Sequence, residues 1–170
     1  MKRIILFSVL IFVAYAQSSA QNYEAPKDYK FENKESYELY EPQVKETIDY
    51  LLQTSLGKDA VKRQGASAFL MAWLTGTPNV SVEINTDVIP FIKTNPELLL
   101  PYIAGCTKYA LDNNYSKDSV LQSKAGIGTV VVYYRGNRGY LKKDASVEKY
   151  EKLIGKGKLE DEITKKMKKK

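Results

Sequence analysis

A nine-residue stretch with a single polar side chain constrains the fold more than any other feature. Within residues 66–74 only Ser67 is polar, so a helix over this stretch has no polar face to turn towards water. Asp59 suits the start of that helix, and Gly76 suits its end. Because an apolar helix must be covered by neighbours, the stretch predicts a helix that is central and buried nearly all round.

Other segments repeat apolar residues at helical spacing around this one. They begin near Pro42, Asn95, Asp118 and Ser146, and of these Pro42, Asn95 and Ser146 suit a helix start. The predicted fold is therefore mainly α. We expect a compact bundle of about five helices, arranged as helical hairpins or in a repeat-like manner.

The segment AGIGTVVVYYRGNRG, residues 125–139, is open to three interpretations. A phosphate-binding loop is disfavoured because Val131 stands where the third glycine of G-x-G-x-x-G belongs. A short two-stranded β element is the second, since residues 80–84 alternate in polarity and residues 129–134 have high β-propensity. We favour a helix over about residues 118–134, with Gly136 just beyond its end.

The N-terminus has the pattern of a secretory signal peptide. Lys2 and Arg3 precede about 13 mostly apolar residues, fewer than the roughly 20 that span a bilayer, and small residues follow. We expect cleavage near Ala20 and a periplasmic or extracellular location. The remaining predicted units are a polar, tyrosine-rich arm over 21–40, a single helical domain over 41–163 and a basic tail over 164–170.

The basic character of the chain comes from its two ends. Of 26 Lys and Arg residues, two lie in the first three positions and five in the last six. That leaves 19 against 20 Asp and Glu, so the body is nearly neutral and predicts no nucleic-acid binding. The tail predicts at most a weak contact with anionic envelope polymers.

Composition excludes several chemistries. The chain has no histidine, which removes Ser-His and Cys-His pairs, and its one cysteine cannot complete an ordinary zinc site. Cys106 is either a core residue or a partner for another chain. A calcium loop starting at Asp112 is disfavoured by Lys117 and Ser123 at the positions of glycine and glutamate. We therefore predict no metal and no cofactor.

The best binding candidates are Tyr133, Tyr134, Arg135 and Arg138, which lie together near the end of the predicted helix. An alternative role for the arginines is to stabilise the negative end of the helix dipole. On this basis the chain is most simply a protein-interaction module with a partner in the cell envelope. A small-molecule or glycan binder is the alternative, and a carboxylate-based hydrolase is the third.

The segments FLMAWLTGTPNVSVEI, NPELLLPYIAGCTKYALDN and GKGKLEDEI resemble those of small exported helical proteins of unknown function from Bacteroidota-type bacteria. The resemblance covers most of residues 40–163. It implies an exported location and an all-helical fold, and it implies no activity.

Overall fold

The structure, a computed structural model, describes residues 23–168, so the predicted signal peptide lies outside the described residues. The fold is mainly α, as predicted. Seven α-helices are described: α1 Lys34–Leu39, α2 Glu41–Gln53, α3 Ala60–Gly76, α4 Leu99–Asp112, α5 Ser119–Gly136, α6 Ala145–Gly155 and α7 Leu159–Met167. Two short 3-10 helices, Pro90–Lys93 and Pro96–Leu98, lead into α4.

About five helices were expected, and this count is too low. The short helices α1 and α7 were not predicted as helices of the bundle. α1 buries none of its residues and so shows no apolar spacing. It is set by a capping box instead, in which the Asn33 side chain accepts from Ser36 N at 2.9 Å and Ser36 Oγ accepts from Asn33 N at 3.2 Å.

The pairing of α4 with α5 organises the bundle. A Cβ atom at Gly105 would lie 3.0 Å from Gly126 Cα and 2.4 Å from Thr129 Oγ1, so the two helix backbones approach closely. Residues 101–107 are all buried, which makes α4 the central helix. The prediction that α3 is buried nearly all round is therefore wrong. α3 packs on one side only, and Met71 on its other side is exposed.

The predicted β element is also wrong. Within residues 23–168 no strand forms: residues 80–84 are an irregular connection, and residues 129–134 lie inside α5. Burial explains why helix prevails over β-propensity, since Val130 and Val131 both enter the core when the segment is helical. α5 starts about where predicted, and Asp118 is its N-cap: the Asp118 side chain accepts from Leu121 N at 3.0 Å. Gly136 is its last residue and not the residue beyond its end.

The core consists of two apolar clusters on either side of α4. One joins α4 and α5 to α6, α7 and the 3-10 segment, around Tyr102, Ile127 and Tyr150. The other joins α4 to α2 and α3, around Ile48, Phe69 and Trp73. α4 supplies both, with Tyr102 in the first and Ala104 in the second, so the bundle is one continuous body.

The aromatic residues of the segment before α2 pack against the second cluster. Tyr23 is buried and stacks on Tyr50, with ring centroids 4.3 Å apart. Farther along, Tyr29 and Phe31 surround the ring of Phe69 at 5.1 and 6.2 Å. The segment therefore follows one flank of α3, which matters for the surface described below.

The first lysines of the predicted basic tail are part of helix α7. Lys165 and Lys166 belong to α7, and Lys166 Nζ donates to the carbonyl oxygen of Asp87. Lys169 and Lys170 lie outside the described residues. Within the described part of the chain, no helix is both long and apolar enough to cross a membrane.

Two glycines of α5 should respond oppositely to alanine. At Gly126 a Cβ would lie 2.6 Å from Cys106 Sγ and 2.8 Å from the Tyr102 ring, so Gly126→Ala overpacks the core and should cost about 1–3 kcal/mol. At Gly128 a Cβ would meet no other atom of residues 23–168 within 4 Å, so Gly128→Ala should add about 0.5–1 kcal/mol of helix stability. Urea unfolding followed by circular dichroism measures both. Equal effects of the two substitutions would contradict this helix packing.

Candidate functional site

An open groove lies where α2, α4 and α5 meet. Its volume is about 460 Å³. Residues of three helices line it: Asp49, Leu52, Lys108, Ala125, Gly128, Thr129, Val132 and Tyr133. We call this surface the α5 groove.

The floor of the groove is one face of α5. Ala125, Gly128, Thr129 and Val132 recur there at the three- and four-residue spacing of a helix face. Because Gly128 has no side chain and a Cβ there would meet nothing, the floor is recessed. Val132 is 68% exposed, so this floor is apolar and open to solvent.

One wall of the groove is charged and held in place by ion pairs between α2 and α4. Lys108 Nζ lies 3.4 Å from Asp49 Oδ1 and 3.7 Å from Asp112 Oδ2. Lys45 Nζ donates to Asp112 Oδ1 at 2.7 Å. This hydrogen bond, together with the charges of both lysines, lowers the pKa of the Asp112 carboxyl. Asp112 therefore acts as a fixed charge that holds Lys108 at the rim.

Tyr133 closes the groove and is held from behind by a buried arginine. Arg63 is only 9% exposed and donates to Tyr133 Oη at 2.9 Å. The same guanidinium donates to the carbonyl oxygens of Leu51 at 3.0 Å and Thr54 at 2.6 Å, at the end of α2. Burial raises the pKa of the Tyr133 phenol against the opposing effect of Arg63, so the phenol stays protonated.

The four predicted binding residues do not share one surface. Tyr133 lines the α5 groove, whereas Tyr134 and Arg138 line a second open pocket of about 340 Å³. Tyr134 is buried, and its hydroxyl accepts from Asp144 N at 3.0 Å. The Arg138 guanidinium lies 5.8 Å from the centre of the Tyr134 ring.

Both arginines of the predicted set contact one carboxylate. Arg135 Nε donates to Glu151 Oε1 at 2.7 Å, and Arg138 Nη2 lies 3.9 Å from Glu151 Oε2. Their side chains are more than half exposed. The pairing ties the end of α5 to α6, so these arginines serve the fold as well as the surface.

The lone cysteine is a core residue. Cys106 is buried and free, and its thiol donates to the carbonyl oxygen of Gln122 at 3.3 Å. Burial raises the pKa of the thiol to about 12, so it is not a nucleophile at neutral pH. Over residues 23–168 no three His, Cys, Asp or Glu side chains are grouped so that they could hold a metal ion.

Comparisons of the chain with protein families, curated proteins and solved structures found no match. The resemblance to small exported helical proteins therefore stays a prediction.

Sequence reasoning missed both the groove and its buried support. The signal for the floor was present, since Ala125, Gly128 and Val132 are small or apolar at helical spacing. Arg63 gave no such signal, because a single arginine beside Lys62 is typical of a solvated helix start. Its burial follows from where α2 ends relative to α3, which is a tertiary contact.

Removing the Arg63 guanidinium should destabilise the protein strongly. Arg63→Met leaves the carbonyl oxygens of Leu51 and Thr54 without their donor, so we expect a loss of about 2–4 kcal/mol in unfolding free energy. Tyr133→Phe removes one hydrogen bond and should cost about 1 kcal/mol. Arg135→Met, at an exposed ion pair, is the matched control and should change stability by less than about 1 kcal/mol. An Arg63→Met loss no larger than this control, in urea unfolding, would refute the role.

Proposed function

We propose that the chain is an exported protein-interaction module that holds a helical segment of an envelope protein in the α5 groove. The observation that carries the proposal is the recessed, apolar floor of this groove between two other helices. Apolar grooves bounded by helices are a common mode of protein recognition, in which the bound helix inserts anchors at positions i, i+3, i+4 and i+7.

The dimensions of the floor fit a helix. Ala125 and Val132 are seven residues apart, or about 10 Å along α5, which corresponds to two turns of a bound helix. Gly128 between them lets a partner backbone approach closely. At the rim, Asp49 and Lys108 supply one charge of each sign, so polar residues that flank an apolar stripe can pair there.

A small-molecule or glycan ligand is the second candidate. The groove volume falls in the range of ligand pockets, and Tyr133 and Lys108 add polar groups beside the apolar floor. The side chain of Val132 is 68% exposed, and this favours the protein partner. A small ligand at such an open site would bury little of the ligand's own surface. The carboxylate-based hydrolase gains no support, since Asp49 and Asp112 both contact Lys108 as ion pairs.

The groove can be tested with a photo-crosslinking amino acid at Val132, introduced in the cell that makes the protein. We expect one main adduct with a protein of the cell envelope, and its loss when Gly128→Met fills the floor. Gly155→Met is the matched control, because a Cβ at Gly155 also meets nothing within 4 Å but lies at the end of α6. It should leave the adduct unchanged.

Two results would contradict the proposal. One is the same set of adducts from a crosslinker at Val61, which is exposed on another helix. The other is an adduct that Gly128→Met does not reduce. Native mass spectrometry of the purified protein separates the alternative: a small added mass that Gly128→Met removes would establish a ligand in place of a partner.

Export is the second part of the proposal, and it rests on residues 1–20 of the sequence. We expect Edman sequencing of the protein from the producing cell to begin at Gln21 and the protein to be in the periplasm or medium. Ala20→Pro should block cleavage at that bond. A cytoplasmic protein that retains residues 1–20 would refute this part and leave the groove experiment unaffected.

The basic tail is assigned a minor role. Lys165 and Lys168 lie at the end of α7 and are accompanied by Glu160 and Asp161 at a shared shallow pocket. The mixed charge supports only a weak, salt-sensitive contact with anionic envelope polymers and no nucleic-acid partner.

A further inference from the structure

α3 presents an exposed face without a charged residue. Exposed positions follow one side of the helix at the spacing of a coiled-coil seam, with Gln64 beside Gly65: Val61, Gln64, Gly65, Ala68, Met71 and Thr75. Val61 is 85% exposed. In a chain with 27% charged residues, four turns of exposed helix without one are unusual. We call this surface the α3 face.

We propose that the α3 face binds the α3 face of a second copy of this chain, with the two helices antiparallel. A two-fold axis at Ala68 places Val61 of each copy opposite Thr75 of the other. It also places Gly65 opposite Met71. A two-fold contact requires a surface that is complementary to itself, and the sizes along this face meet that requirement.

The notch at Gly65 is the main steric argument. Among residues 23–168 a Cβ there would meet only the Ala25 methyl, at 3.5 Å, so the described chain leaves the surface above it open. Met71 is a flexible, exposed side chain of the length that fills such a notch. Since the two positions lie on either side of Ala68, the antiparallel arrangement fills both notches at once.

The parallel arrangement would leave the notches empty. It would place Gly65 opposite Gly65 and Met71 opposite Met71, so neither Met71 side chain would reach a notch.

Charge opposes the parallel arrangement and permits the antiparallel one. The end of α3 near Val61 carries Lys58 and Lys62 with Asp59 and Glu24, which balance, whereas α1 at the other end carries Glu35 and Glu38 with Lys34. The antiparallel pair therefore meets a neutral end with a weakly negative one. Parallel helices would place two negative ends and two like helix-dipole ends together.

The size of the face predicts a weak dimer. α3 rises about 21 Å between Val61 and Thr75. A contact of one helix pair is at the lower end of specific interfaces, so the dimer should form and dissociate with protein concentration. The contact lies on a helix other than those that line the α5 groove, so it does not depend on the proposed partner.

Disulfide trapping tests the arrangement directly. Tagged Val61→Cys protein is mixed with untagged Thr75→Cys protein under mild oxidation, and Cys106 is buried and does not interfere. We expect the mixed Val61–Thr75 disulfide to exceed each homodimeric disulfide at least fivefold. Tyr140→Cys, exposed in the loop after α5, measures random collision when mixed with Val61→Cys. Equal yields for all pairs, or a preference for homodimers, would overturn the proposal.

Sedimentation velocity over a concentration series gives an independent readout. Met71→Lys places a charge at the seam on an exposed position and should raise the dimer dissociation constant at least tenfold, with an unchanged circular dichroism spectrum. Val132→Lys, on the floor of the α5 groove, is the matched control and should leave the dissociation constant unchanged. A protein that stays monomeric at millimolar concentration would overturn the proposal, whether its α3 face is bare or is covered by residues 1–22 of the same chain.

Discussion

The close approach of α4 and α5 is the contact on which the other contacts depend. Gly105 and Gly126 face each other so closely that a methyl group on either would strike the opposite helix. This proximity buries residues 101–107 of α4 from every side. α4 can then share its residues between two apolar clusters, which lets the seven helices of residues 23–168 form one body without a disulfide.

The same contact decides which face of α5 remains free. Gly126 and Ile127 point inwards, so Ala125, Gly128 and Val132 must point away from the core. Arg63 lies behind one edge of that free face. It donates to the carbonyl oxygen of Thr54 at the end of α2 and to the hydroxyl of Tyr133, so it holds Tyr133 in place at one wall of the α5 groove. The groove is therefore a consequence of how the core packs rather than a feature of a mobile loop.

Local patterns predicted some elements well, although the capping box that starts α1 was not recognised. The helix from about Asp118 was predicted from its apolar spacing, and the structure adds that the Asp118 side chain caps it by accepting from Leu121 N. Predictions that depended on long-range packing were weaker. The local pattern of residues 129–134 fits both a helix and a strand. Their helical conformation depends on packing against α4, which is distant in sequence and ends at Asp112. Arg63 and the groove depend on three helices at once, so no local pattern indicated them.

The α3 helix shows how a wrong structural prediction can carry functional information. Residues 66–74 of α3 carry no charge and predicted burial on all sides, but the single chain buries only one side of the helix, around Ala66, Leu70 and Trp73. The other half remains exposed although it has the composition of a covered surface. An isolated helix with that composition would gain by associating, since apolar area leaves water without any charge being desolvated. The exposed, uncharged side of α3 is thus the physical reason to expect that the α3 face of a second copy packs against it.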